Sequence, residues 1–268
     1  MSNPVAAEQA LKEGDAQRAL KLLTEQVRAH PQDVKLRVFL FQLMCVLGLW
    51  ERALNQLTVA QELDAEMLPM VQTYREAIQC ERLRDEVFRG KKVPLLFGAP
   101  EAWVALLIEA LLREGQGDVA DARKLRDQAF EQAPSAGGTI DGKDFAWLAD
   151  ADMRLGPVLE AVINGKYYWV PMTRLARIAV EAPVDLRDCA WTAAQLEFTN
   201  GGETVALIPT RYAGTDLTDS SLALARKTDW KEPVPGFYTG VGQRLFTTDL
   251  GDYGLMDVRS IVFNPTDA

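Results

Sequence analysis

Four aspartates, Asp141, Asp144, Asp150 and Asp152, fall within one short stretch of the chain, and Arg154 follows directly behind them. Gathered carboxylates are the raw material of oxygen-ligand sites for Ca²⁺ or Mg²⁺, and a divalent-metal-dependent hydrolase is the enzymatic function such a cluster would support. The spacing is not that of an EF-hand loop, which places ligands at alternate positions and closes on a glutamate. Asp152 and Arg154 are also placed so that one caps a turn or pairs with the other, and structural ion pairs are the common use of such neighbours.

A second polar series runs through Arg174, Arg177, Arg187, Asp188, Arg211 and Tyr212, interleaved with Trp169 and Trp191. Arginine and aromatic residues are enriched at interface hot spots. Taken with Asp150, Asp152 and Arg154, the series is either a recognition face or an ion-pair network joining two halves of the protein; the residue types support both. Chemistry of other kinds finds no foothold. The single histidine, His30, precedes Pro31 at a helix end, and with scattered cysteines no zinc site of ordinary spacing can be written. Neither a G-x-S-x-G elbow nor a Walker A loop is present, and Gly240-Val-Gly242 lacks the third glycine and following helix of a phosphate loop, so it reads as a turn. No catalytic residue, metal ligand or cofactor is assigned.

The elements that must position these residues change character at DADMRLGPVLEAVINGKYYWVP, residues 150–171. Asn164-Gly165 between two apolar runs signals a hairpin, because both central residues of a type I′ turn need positive φ. Residues 176–181 read as a strand, residues 191–198 and 204–208 as a hairpin about Asn200-Gly-Gly202, and residues 243–248 and 255–263 as a third. Residues 220–226 suit a short helix. Close-spaced short strands with Gly-rich turns predict a small antiparallel barrel or twisted sheet.

Upstream, the pattern is helical and repeated. Gly14, Ala19, Leu20 and Leu23 recur as Gly48, Ala53, Leu54 and Leu57, a displacement of 34 residues, which is the tetratricopeptide period. A third, altered pair fits around Gly115 and Gly117, a solitary helix spans about 70–89, and KKVPLLFGAP (91–100) is a loop. Repeat arrays bind peptides along the first helix of each pair, which here presents Lys35, Val38, Gln42 and Cys45. The opposing reading is that so short an array packs on its own second domain. The fold class expected is therefore α+β: a tetratricopeptide-like array over 1–134, a linker and anchor over 135–149, and a β-rich, barrel-like domain over 150–268.

Bulk properties narrow the partners. A formal charge of −9 disfavours nucleic acid and anionic membrane, both of which want a basic face. Cys45, Cys80 and Cys189 are odd in number and widely spaced, as expected of reduced thiols in the cytoplasm. The N-terminal MSNPVAAEQALKEG has neither the basic nor the apolar region of a signal peptide, and no apolar run is long enough to span a bilayer.

Several long segments resemble the ImpE family, also called SciE-type or TagJ-like. They are LRVFLFQLMCVLGLWERAL, PMVQTYREAI and VFRGKKVPLLFGAPEAW in the helical half, with DADMRLGPVLE, YYWVP, DLRDCAW, LIPTRYAGT and GQRLF beyond it. The resemblance implies a non-enzymatic accessory protein of bacterial type VI secretion, associated with the contractile sheath. It further implies binding of the N-terminal helix of the small sheath subunit and a link to the ClpV-type unfoldase. A purely structural dimeric scaffold is the remaining alternative.

Overall fold

The computed structural model describes residues 5–265. Among the described residues the first half is helical, interrupted only by a short strand between the fifth and sixth helices: α1 (Val5–Lys12), α2 (Ala16–Ala29), α3 (Val34–Val46), α4 (Trp50–Leu63), α5 (Leu68–Phe88), α6 (Ala102–Gly115) and α7 (Val119–Gln132). Helices α2, α3 and α7 start at aspartates, Asp15, Asp33 and Asp118, whose carboxylates accept backbone N–H groups three residues on at 2.8, 3.2 and 3.2 Å. Gly14 and Gly48 take positive φ (83° and 66°) in the turns between paired helices, where a side chain would be strained. Ala19 and Ala53, the small residues of the repeat, are fully buried. Helix α3 is buried on most sides, from Leu40 through Val46 without interruption.

The second half is built from strands. They are β1 (Leu95–Leu96), β2 (Gly138–Ile140), β3 (Lys143–Phe145), β4 (Leu148–Asp150), β5 (Val158–Ile163), β6 (Lys166–Pro171), β7 (Leu175–Val180), β8 (Trp191–Phe198), β9 (Glu203–Pro209), β10 (Thr228–Val234), β11 (Phe237–Gly242), β12 (Leu245–Thr248), β13 (Asp252–Gly254) and β14 (Ser260–Phe263), with a short helix α8 (Ser220–Ala223) between β9 and β10. Nine strands form one sheet in the order β1-β6-β5-β9-β8-β7-β14-β2-β3; β13-β12-β4 form a second, and β10-β11 a separate ribbon. The β5–β6 turn carries positive φ at both Asn164 (48°) and Gly165 (70°), as the Asn-Gly signal requires.

Three expectations are corrected. Among the described residues no sheet closes into a barrel: the nine-stranded sheet ends on β1 and β3, which do not meet. Other layers cover one face and part of the second from outside instead. Leu159, Ala161, Ile163, Leu196 and Ile261 pack with Phe246 of the three-stranded sheet, while Val158 and Val162 pack under Trp103 and Leu107 of α6. Covering one face and the helix-side half of the other buries those apolar side chains without curling the sheet, so closure is not needed. The expected third hairpin also fails. Strand β12 pairs with β13 and β4, whereas β14 crosses to the main sheet and lies between β7 and β2. Gly240 and Gly242 lie within β11, paired with Trp230 and Thr228, and not in a turn.

The segment read as linker and anchor carries β2, β3 and the start of β4, two of them in the main sheet. The loop at 91–100 likewise contributes β1, which pairs parallel with β6 at Tyr168 and Trp169. Both are cases where main-chain pairing with distant strands organises a sequence whose local composition reads as loop.

Candidate functional site

Strand β5 is buried along its whole length, and its one charged residue, Glu160, lies on the face turned toward the helices. Helix α5 turns Ala77, Cys80, Arg84 and Val87 inward at helical spacing. Arg84 and Glu160 meet there: Nε donates to Oε1 at 2.7 Å and Nη2 to Oε2 at 3.0 Å. Arg244, between β11 and β12, donates to the same carboxylate and to Asp150, and its Nε donates to the Pro209 carbonyl at 2.9 Å. The Tyr167 hydroxyl donates to Glu160 and accepts from the Trp169 indole N–H at 2.8 Å. Arg84 reaches on to the Arg211 carbonyl at 2.8 Å and to Glu81 at 3.3 Å.

The acidic pair found in the sequence forms the other end of this network. One Asp150 oxygen accepts the Asp152 backbone N–H at 2.8 Å. Asp152 accepts the Gly240 N–H at 2.9 Å and, from Arg154, the backbone N–H and Nε at 2.9 Å and Nη2 at 2.6 Å. Arg154 also donates to the Ala213 carbonyl at 3.1 Å and lies 4.8 Å from the Phe88 ring of α5. Arg211 crosses the joint, donating to the Val46, Ala223 and Cys45 carbonyls and so tying the end of α3 to the strand half. Tyr212 stands over Arg244, its hydroxyl accepting from Leu245 N–H at 2.9 Å.

These contacts set the electrostatics. Burial pushes the Glu160 carboxyl up, but Arg84 and Arg244 outweigh it and hold the group down at about 2. Asp150 moves the other way: burial, opposed by Arg244 and reinforced by the neighbouring Asp152 charge, raises it to about 7. Burial lowers Arg211 below the ordinary arginine value, with Glu81 opposing. The carboxylates are committed to arginines and backbone amides, an arrangement suited to joining elements rather than to binding water or a metal.

Other residues singled out in the sequence lie elsewhere. Asp141 takes positive φ in the β2–β3 turn, where its carboxylate accepts from Arg259 and Ser260 N–H at 3.0 and 2.8 Å. Asp144 is exposed. The four aspartates are therefore split between two settings, and among the described residues no group of three or more His, Cys, Asp or Glu is placed to hold a metal ion. Arg174 pairs with Glu101 at 2.9 Å. Arg187 pairs with Asp185 and lies 4.8 Å from the Tyr74 ring, while Asp188 caps the turn that contains it.

Along α3, Lys35 is exposed and Val38 half-buried, but Gln42 and Cys45 are buried. The turn at 186–189 packs across α3, and Ala190, Trp191, Ala223 and Leu224 join the helical core. The strand half thus occupies the groove side of the array at Gln42 and Cys45, and a partner cannot reach them there. Arg84, Glu160, Tyr167 and Arg244 are not among the candidate site residues that the sequence singles out. Two signals were present: a lone glutamate inside the apolar run VLEAVI, and an arginine on the inward stripe of α5.

Comparison with known proteins agrees with this architecture. Residues 142–262 match the family described as ImpE protein, and residues 10–73 match a tetratricopeptide repeat. Over 264 residues the chain is 52% identical to the type VI secretion system accessory component TagJ of Pseudomonas aeruginosa, covering 98% of this chain and 92% of that protein. The crystal structure of protein VPA1032 from Vibrio parahaemolyticus is similar over 97% of both chains, with a TM-score of 0.89 and 25% identity.

Proposed function

Because the chain belongs to the ImpE family, we propose that it is a non-enzymatic accessory component of a bacterial type VI secretion system, acting as an adaptor that binds a component of the contractile sheath. The observation that carries this reading is the near full-length identity to TagJ. The site chemistry is in keeping with it: the buried carboxylates of Glu160, Asp152 and Asp150 are each paired with an arginine, Arg84, Arg154 and Arg244.

In its finer form, the proposal is that the adaptor holds the amphipathic N-terminal helix of the small sheath subunit by that helix's apolar face. It would assist sheath dynamics in the cytoplasm together with a ClpV-type unfoldase. Among the described residues no helix is long and apolar enough to cross a membrane. Isothermal titration of the full-length protein with the small sheath subunit tests the proposal. Saturable heat is expected; an absence of heat at high micromolar concentrations overturns sheath-subunit capture.

A further inference from the structure

One face of the nine-stranded sheet is only half covered. The register places Trp191, Ala193, Gln195 and Glu197 of β8, Leu207, Val205 and Glu203 of β9, Arg177 and Ala179 of β7, and Val262 of β14 on that face. Where it meets the helices the face is closed: Trp191 is buried against Trp50 and Tyr74, and Val162 beside Leu207 lies under α6. Moving outward along β8, Ala193 is half-buried and Gln195 exposed; along β9, Leu207 is half-buried and Val205 is 69% exposed. Val262 is exposed in the same layer, and Val184, 87% exposed, stands on the loop beside Ala193. A cleft of about 120 Å³ marks the edge of the helical layer, between Tyr74 of α5 and Ala193 of β8.

We infer that this open half-face, centred on Val205, Ala193 and Ala179 and bordered by Tyr74, is the docking surface for a basic amphipathic helix of the partner. The inference rests on the proposed function for the identity of that partner. A helix suits the site because the open surface is the face of a sheet and not an edge, and because the same face already takes a helical layer on the adjoining strands. The polar neighbours determine the charge of the occupant. Glu181, Glu197 and Glu203 surround the apolar row; Arg177 on the same face is paired with Glu197 at 3.2 Å, and Arg187 at the cleft is paired with Asp185. A helix with a small apolar stripe flanked by lysine or arginine therefore complements the surface in shape and charge.

The test uses the full-length protein and the small sheath subunit as probe, with Val205→Asp, Glu203→Lys and a remote surface control, Leu250→Asp. Val205→Asp is expected to weaken binding by about tenfold or more without changing the melting midpoint, since it sets a charge in an apolar contact. Glu203→Lys should weaken binding most at low salt, and Leu250→Asp should leave it intact. Hydrogen exchange of the complex should show protection in 177–180, 193–197 and 203–207. Wild-type binding that survives Val205→Asp, or protection confined to other segments, overturns this surface while leaving the adaptor reading in place. No binding by the wild type overturns the adaptor reading and this inference with it.

Discussion

The Arg84 guanidinium of α5 grips the Glu160 carboxylate of β5 through two hydrogen bonds of 2.7 and 3.0 Å, with 6% of the arginine side chain and none of the glutamate exposed. This pair joins the helical array to the sheet. A buried pair with this geometry is costly to break from one side, because the remaining charge is left without a partner.

Arg84→Ala should therefore lower unfolding free energy by about 3–5 kcal/mol. Glu160→Ala should cost more, since Arg84, Arg244 and Tyr167 all lose an acceptor at once. Urea unfolding followed by tryptophan fluorescence measures both. Equal stability of wild type and Glu160→Ala would show that the network does not join the halves.

Two buried carboxylates predict opposite pH dependences. Glu160 is held at about 2, below its ordinary 4.5, so its contribution is complete above pH 4.5 and is lost as pH falls through 2. Asp150 is raised from 3.8 to about 7, so its contribution is complete below pH 3.8 and is lost as pH rises through 7. The urea midpoint of the wild type should decline from pH 5 to pH 7, and Asp150→Asn should flatten that decline. An unchanged slope in the variant would place the titration elsewhere.

Arg154→Ala should reduce stability before it touches partner affinity. Its guanidinium holds Asp152 and the Ala213 carbonyl, yet Asp152 keeps the Gly240 and Arg154 amides as donors. A cost of about 2 kcal/mol is expected. A variant with unchanged melting and lost sheath-subunit binding would make the joint itself the recognition site.

Gly240→Ala tests the close approach of β11 to Tyr212, whose ring occupies the space a Cβ would need. Overpacking there should cost about 1–3 kcal/mol. It should also perturb Asp152, which accepts the Gly240 N–H. Calorimetric melting reads the effect, and a midpoint equal to the wild type would show that the ring can yield.

The sequence by itself determined what local patterning can encode. The 34-residue recurrence of Gly, Ala and Leu specified paired helices, and Asn164-Gly165 specified a hairpin, because turn geometry and helical periodicity are properties of neighbouring residues. It also brought Asp150, Asp152, Arg154, Arg211 and Tyr212 to notice as one polar set, though not their partners. Only the tertiary structure decided the rest. Glu160 meets Arg84 across 76 residues and Arg244 across 84, separations at which no local pattern links the residues. The sheet stayed open because two other layers bury one face and part of the second, and β14 left β12 for the main sheet because pairing is settled by those layers and not by adjacency in the chain. The groove side of the array at Gln42 and Cys45 was likewise closed by residues 186–191, which lie far away in sequence and lie against α3 only once both halves have folded.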